Sequence, residues 1–354
     1  MKLSEVLNNI TQLFGQDIAI DLGTATTQVA VKGHGVVMEE PSVVAINNRN
    51  GQIMAVGAEA KHMAGRTPGN ITVVRPLQGG VISDFDATEA MLKYFLDQIY
   101  AKFGSLWQFN RPVLVVGVPS VITEVESRAV IDAGKSAGAR KVYLVEEPIA
   151  AAIGSGVDIS EAHSTLVVDI GGGTSDVALI SMGGMVVDST IKVAGDEMNA
   201  ALVAYIRHKY NLLISENIAE EIKINWGSAS KLSKELEGQV AGRDLLTGLP
   251  KSVKLSGVEI REALLRVVDQ VVDAVHATVE KSPPEVLQDL MTKGVFLVGG
   301  GAQLRGLDKY ISGKLHLPVK VIATPQRAVV MGLLSLLDQV PLLEKVQVRE
   351  QRFL

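Results

Sequence analysis

The chain has 354 residues, too many for one small hydrophobic core and suited to two lobes of ordinary size. With 47% apolar but only 4% aromatic residues, Val, Ile, Leu and Ala must build those cores, as in sheets covered by helices on both faces. A net charge of -5 argues against a nucleic-acid partner, and the absence of cysteine excludes disulfides, thiolate metal sites and a cysteine nucleophile.

Residues 1–14 place Leu3, Val6, Leu7, Ile10, Leu13 and Phe14 at helical i, i+3, i+4, i+7 spacing, with Ser4, Glu5, Asn8, Asn9 and Gln12 opposite. Such an amphipathic helix can lie in a bilayer interface. It lacks the cationic start and small-residue cleavage site of a secretory signal. Cations are scarce here, Lys2 and the terminal amine against Glu5, so attraction to anionic lipid is weak.

Residues 17–31 read as a β-hairpin around a Gly23–Thr26 turn, and 33–76 as a small inserted subdomain punctuated by Gly and Asn. Ala87–Phe103 carries helical periodicity. Phe103–Phe109 follows as a loop in which Leu106 and Trp107 are unusually apolar. Val113–Val118 is a buried strand stopped by Pro119, and Glu124–Ala137 a helix that Ser120 can cap and Gly138 can end. Val142–Val145 is a strand; Pro148 then precedes a helix beginning at Ile149. A second hairpin surrounds Gly171–Gly173, and 195–255 reads as a second insertion. Val295–Val298 runs into Gly299-Gly300-Gly301. Leu304–Leu315 is helical, Val319–Ile322 a strand, and a helix follows Pro325 through Gly332. Strand–turn–helix–strand–Pro–helix thus occurs twice, at 113–154 and 295–337, which indicates an internal duplication.

The two hairpins are the same sentence written twice. Asp21-Leu22-Gly23-Thr24 ends in Val29-Ala30-Val31, and Asp169-Ile170-Gly171-Gly172 ends in Val177-Ala178-Leu179 at the same offset. Small residues let backbone N–H groups approach a phosphate chain. Gly23 and Gly171–Gly173 supply the turns; Thr24, Thr26 and Thr174 add hydroxyls. One hairpin from each half can close on a nucleotide from opposite sides. A triphosphate needs Mg²⁺, a hard cation that keeps several waters. Asp21 and Asp169, just before each turn, are placed to hold that hydrated ion.

Phosphoryl transfer to water depends on positioning that water. Glu147, at a strand end ahead of Pro148, is the candidate to accept its hydrogen bond, and Thr174 a second orienting group. The plain alternative for Glu147 is a charge favoured by a helix N-terminus, and neighbouring Glu146 leaves the choice open. The turn Gly300, Gly301, Ala302, Gln303 suits the flat adenosine. Glu220 and Lys223, spaced i, i+3 on a predicted helix, can frame ribose and base, or form an exposed ion pair.

Together these segments resemble the actin-like ATPase superfamily and, within it, the MreB family of bacterial cell-shape actins, over about residues 16–335. The superfamily-wide segments are Asp17–Thr26, Val168–Thr174 and Gly299–Ala302 with Leu304–Leu307. Glu40–Ala45, Gly65–Gly69 and Glu146–Gly154 point to the MreB family. The resemblance implies an α/β actin-like ATPase fold, with two duplicated lobes, each a mixed sheet flanked by helices with a small inserted subdomain. It divides the chain into an amphipathic segment at 1–16; subdomain IA at 17–39, 78–154 and 320–354; IB at 40–77; IIA at 155–194 and 256–319; and IIB at 195–255.

By the same resemblance, Glu147 and Thr174 orient the hydrolytic water, and Asp21 and Asp169 sit at Mg²⁺. Thr24, Ala25 and Thr26 with Gly172, Gly173 and Thr174 hold phosphates of ATP. Glu220, Glu221, Ile222 and Lys223 with Gly300–Gln303 surround adenosine. The implied protein is a slow ATPase that forms filaments with itself on the inner face of the cytoplasmic membrane and works with membrane proteins of cell-wall elongation. Leu3, Val6, Leu7, Ile10, Leu13, Phe14, Leu106 and Trp107 are its membrane candidates; on pattern alone both segments can equally pack on the body or on a neighbouring subunit.

Several residues depart from the family pattern: Thr26 for Asn, Ser175-Asp176 for Thr-Glu, Glu221 for Arg, Ala194 for Gly, and Gln303 for Leu. The rival readings are an MreB paralogue or plasmid-segregation actin, a sugar or acetate kinase of the superfamily, a chaperone-type ATPase, and an ATP-binding scaffold that barely hydrolyses. No substrate-poised catalytic base favours the kinase, and the chain ends before a chaperone's substrate domain would begin.

Overall fold

The structure is a computed structural model that describes residues 17–103 and 111–348. The chain forms two compact units, one running through Ile159 and resuming at Arg327, the other Ser160–Gln326.

The first unit is built on a five-stranded sheet in the order Lys141–Glu146, Val113–Val118, Ile18–Leu22, Thr26–Val31, Gly35–Pro41. The first three strands are parallel; the last two join by antiparallel hairpins. Ile18, Ala19 and Ile20 are all fully buried, so successive side chains on opposite faces of the sheet are both covered. That is why this strand reads as a continuous apolar run. The Phe85–Phe103 helix supplies Met91, Leu92, Phe95, Leu96 and Ile99 to this core at helical spacing. A three-stranded sheet of Ile53–Val56, Val44–Asn47 and Ile71–Val74, with the Ala58–Met63 helix, forms a separate small cluster around Val43, Ala45, Ala55 and Ala60.

The second unit repeats the plan. Its sheet runs Gly184–Ile191, Ser175–Ser181, Thr165–Ile170, Val295–Val298, Val319–Val321, with hairpins on one side of the central strand and parallel strands on the other. The duplication seen in the sequence is therefore a duplication of sheet order. A small sheet of Leu212–Leu213, Glu237–Asp244 and Pro250–Ser256 belongs to this unit, packed by the Gly195–Tyr210, Glu216–Trp226 and Gly257–Lys281 helices. The Val319–Val321 strand pairs with Val295–Val298, so the chain leaves the second unit at Gln326, beyond the 319/320 boundary read from the sequence.

Local differences have local causes. The Glu124–Ser136 helix is capped by Thr123 rather than Ser120. Thr123 accepts from the Glu126 N–H while the Glu126 carboxylate takes the Thr123 N–H, a reciprocal box worth about 1 kcal/mol. The helix expected to begin at Ile149 starts at Glu147 and takes Pro148 into its first turn, where the missing N–H costs nothing. The helix expected over 304–315 begins three residues later, at Leu307–Leu315, with Gly306 (φ 72°) as its N-cap; a separate 3₁₀ turn, Gly301–Gln303, precedes it.

The Glu147–Gly154 helix packs on Ala328–Leu336 almost backbone to backbone. A Cβ on Gly332 would lie 1.8 Å from the Ala150 carbonyl oxygen, and one on Gly154 1.9 Å from that of Ala328. Two glycines thus set the seat of the helix that begins at Glu147. Among the described residues no helix is long and apolar enough to cross a membrane. The expected membrane residues Leu3, Val6, Leu7, Ile10, Leu13, Phe14, Leu106 and Trp107 lie outside the described residues.

Candidate functional site

In the first unit the carboxyl ends of three parallel strands gather the expected residues, the usual place for a ligand in an open α/β sheet. Asp21 is in register with Gly117 of the neighbouring parallel strand, and Gly117 with Val145 of the next. Residues in register project to the same face. A Cβ at Gly117 would stand 3.5 Å from Cγ of Glu147 and 3.2 Å from Val329 and Leu333. The missing side chain at Gly117 therefore lets Glu147 and the Ala328–Leu336 helix close in beside the strand end that carries Asp21. A glycine inside an apolar strand run is the sequence signal for such close approach; it went unread.

The Gly23–Ala25 turn is locked from outside. A Cβ on Gly23 would meet the Thr26 carbonyl oxygen at 2.5 Å, so only glycine closes it. Buried Ser42 donates its hydroxyl to the Gly23 carbonyl at 2.6 Å and pairs with Thr27 Oγ1 at 2.9 Å. The Gly80 N–H reaches Thr24 Oγ1 at 3.3 Å. Thr24 is buried, while Ala25 and Thr26 are exposed at the tip. The turn is thus rigid and its tip accessible.

Burial pushes the Asp21 carboxyl up to about 7. Unfolded, it titrates near its ordinary value of roughly 3.9. As pH rises between these values the unfolded chain releases the proton while the folded chain keeps it, so stability falls through this window. In nucleotide-free protein, Asp21→Asn is therefore expected to leave the melting temperature unchanged near pH 4. At pH 8 it should stabilise by roughly 2–4 kcal/mol. Thermal melts across this range check it; a difference that does not vary with pH would refute it.

In the second unit the expected residues form one connected array. Asp169 lies opposite Asp176 and beside Val298 in the sheet. The Gly171 N–H closes the turn on the Thr174 carbonyl at 2.9 Å. The first turn of the Gly195–Tyr210 helix docks on that loop, Gly195 N–H to Gly171 O at 3.2 Å and Asp196 N–H to Gly172 O at 2.8 Å. Buried Asp176 accepts from the hydroxyls of Thr190 and Thr174, and burial raises its carboxyl pKa above the ordinary carboxylate value. Thr174 is itself buried and held by that contact.

Glu220 and Lys223 pair at 2.7 Å, and Lys223 Nζ also donates to the Gly195 carbonyl at 2.9 Å. Lys223 is thereby committed to supporting the Gly171–Gly173 turn through Gly195, with its side chain 12% exposed against 37% for Glu220. Of the remaining expected adenosine residues, Glu221 is exposed, whereas the Ile222 side chain lies in the core. Gly299 has a φ of 81° and presses on Asp169 and Ile170, Gly301 presses on Ile170, and Gly300 opens onto space with no atom within 4 Å. Ala302 is buried and Gln303 exposed. Arg305 donates to the carbonyls of Ile224, at 2.8 Å, and Gly227, at 3.3 Å. It fastens the end of the Glu216–Trp226 helix to this glycine turn.

Sequence reasoning assigns no site role to Asn199, which donates to Glu220 at 2.6 Å, or to Gly117, and reads Ser42 and Arg305 only as parts of family-like segments. Among the described residues no group of three or more His, Asp or Glu side chains is gathered to hold a metal by itself. A cation here would take only one or two carboxylates and draw its other ligands from phosphate and water.

The chain matches the family described as MreB/Mbl protein over residues 15–345. It is 44% identical over 333 residues to the cell shape-determining protein Mbl of Bacillus subtilis (strain 168), covering 94% of this chain and 99% of that one. It is equally 44% identical over 333 residues to the cell shape-determining protein MreB of Escherichia coli (strain K12), covering 92% and 94%. Among solved structures, MreB5 of Spiroplasma citri bound to ADP matches with a TM-score of 0.87 at 37% identity, covering 93% of this chain and 98% of that one.

Proposed function

Since the chain belongs to the MreB/Mbl family of cell shape-determining actin-like proteins, we propose that it binds ATP with Mg²⁺, hydrolyses it slowly, and polymerises into filaments on the inner face of the cytoplasmic membrane, where they organise cell-wall synthesis. The observation that carries this reading is the matched pair of hairpins. Asp21 and Asp169 occupy the same place in two sheets of the same order, each just before a glycine turn. The ADP in the Spiroplasma relative supports the choice of nucleotide.

The residues fit a nucleotide. Gly300 leaves open space on its side-chain side, with no atom within 4 Å, and the Gly23 and Gly171 turns present small residues where phosphate needs close backbone approach. In this reading Thr24–Thr26 and Gly172–Thr174 hold phosphates. Glu220, the backbone around Ile222, and Gly300–Gln303 take adenosine. Asp21 and Asp169 face Mg²⁺ through water, and the cation supplies charge neutralisation to the transferring phosphoryl group. Glu147 and Thr174 orient the attacking water, Thr174 with its hydroxyl directed by Asp176. Residues 40–77 and 195–255 act as the subdomains that a neighbouring subunit moves on assembly. Leu3 to Phe14 and Leu106–Trp107 bring the filament to lipid.

Pelleting with Mg-ATP, with and without anionic liposomes, and electron microscopy of the pellets test the proposal. Filaments are expected in ATP, and liposome recruitment should be lost on deleting residues 1–14 together with Leu106→Ser and Trp107→Ser. Absence of filaments under every condition would overturn the cytoskeletal reading. Unchanged recruitment by the doubly altered chain would overturn the membrane part alone. Release of phosphate only in the presence of a sugar or acetate acceptor would favour a kinase.

A further inference from the structure

Asn199 sits one helical turn after Gly195, on the same face of the Gly195–Tyr210 helix, and is 4% exposed. Its Nδ2 donates to Glu220 Oε2 at 2.6 Å, and Lys223 Nζ lands on the same oxygen at 2.7 Å. Two donors on one oxygen fix the plane of a carboxylate whose side chain is otherwise 37% exposed. The other end of the Asn199 amide, Oδ1, is buried and has no hydrogen-bond partner among the described residues. Burying an unsatisfied amide oxygen is costly, and such groups call for an explanation. Packing alone would be served better by an apolar side chain.

The contacts form a line. Asn199 holds Glu220, Glu220 holds Lys223, Lys223 holds the Gly195 carbonyl, and the Gly195 N–H holds the Gly171 carbonyl at the phosphate turn. Lys223, its ammonium bonded to Glu220 and to the Gly195 carbonyl, is spent within that line. Glu220 is the member that faces outward.

We propose that Asn199 is a positioning residue for nucleotide recognition: it aims the Glu220 carboxylate at the ribose hydroxyls and, through Lys223, ties that contact to the Gly171 phosphate turn. The inference rests on the nucleotide reading above and adds a specificity element to it. Ribose hydroxyls are donors, and a carboxylate oriented in advance accepts from them without first paying to be ordered.

The test compares binding of Mg-ATP and of Mg-2′,3′-dideoxy-ATP by titration calorimetry, in the full chain and in Asn199→Ala. The wild type is expected to bind the dideoxy nucleotide about tenfold more weakly. Asn199→Ala should lose about tenfold for ATP but less than twofold for dideoxy-ATP, since the carboxylate it releases no longer has a ribose partner to serve. Equal losses for both nucleotides would mean a merely structural role and would overturn the proposal. If Asn199→Ala does not fold, the exposed Glu220→Ala carries the test. It must show the same selective loss, and failure to do so overturns the proposal as well. A wild type that binds neither nucleotide would instead sink the nucleotide reading itself.

Discussion

Replacing Glu147 by alanine is expected to lower steady-state ATP hydrolysis by about 10²–10⁴-fold, the range contributed by a positioned general base. ATP affinity should change by less than about threefold, because the carboxylate acts on the water and not on the nucleotide's binding contacts. Two readings of this residue were open in the sequence, a water-orienting carboxylate and a charge that suits a helix N-terminus. Both descriptions fit its place, at the first position of its helix and beside Gly117 on the Asp21 face of the sheet. They differ in what they predict. The helix-end role contributes only about 0.3–1 kcal/mol to stability and nothing to turnover. Phosphate release measured alongside thermal melting separates them. Turnover within threefold of the wild type, with a lowered melting temperature, would leave Glu147 a helix-end charge and nothing more.

Gly299→Ala should destabilise the second unit by roughly 2–5 kcal/mol and abolish nucleotide binding at millimolar concentration. The backbone at φ 81° disfavours any L side chain, by about 1–2 kcal/mol. The new methyl would also lie 2.3 Å from Asp169 Oδ1 and 2.4 Å from the Ile170 carbonyl oxygen. The Ile170 carbonyl is backbone and Asp169 is buried, so the strand end must shift at a further cost of about 1–3 kcal/mol. What shifts is the strand end that carries Asp169. Gly300→Ala is the control: φ is -63° and no atom stands within 4 Å of the added carbon. It should melt like the wild type yet bind ATP about tenfold more weakly, because it fills the space assigned to adenosine. Equal melting and equal ATP affinity for all three proteins would remove this turn from the nucleotide site.

The legible parts of the molecule were those governed by local chemistry. Continuous apolar runs marked strands buried on both faces, as at Ile18–Ile20 and Leu166–Val168. Glycine turns after aspartates marked the hairpins, and matching offsets revealed that the plan occurs twice. Helix ends were less legible. Thr123 and Ser120 are both competent caps by type; which one serves is decided by Glu126 reaching back to the Thr123 N–H. The 304–315 stretch has helical spacing, yet Gly306 in the left-handed region delays the helix start to Leu307.

By itself, then, the sequence determined the α/β class, the doubled hairpin, the chemistry of the turns and the identity of most candidate residues, because each depends on residue type and near-neighbour spacing. Tertiary structure alone decided what those residues are attached to. Lys223 and Gly195 lie on different helices, yet a hydrogen bond joins them and makes the lysine a support for the Gly171–Gly173 turn. Asn199 acquires a role only because two helices pack with its amide against Glu220. Gly117 matters because Glu147 and the Ala328–Leu336 helix converge on the space where its side chain would be. Such facts arise from tertiary packing between elements about twenty to two hundred residues apart, and no periodicity in a single sequence encodes them.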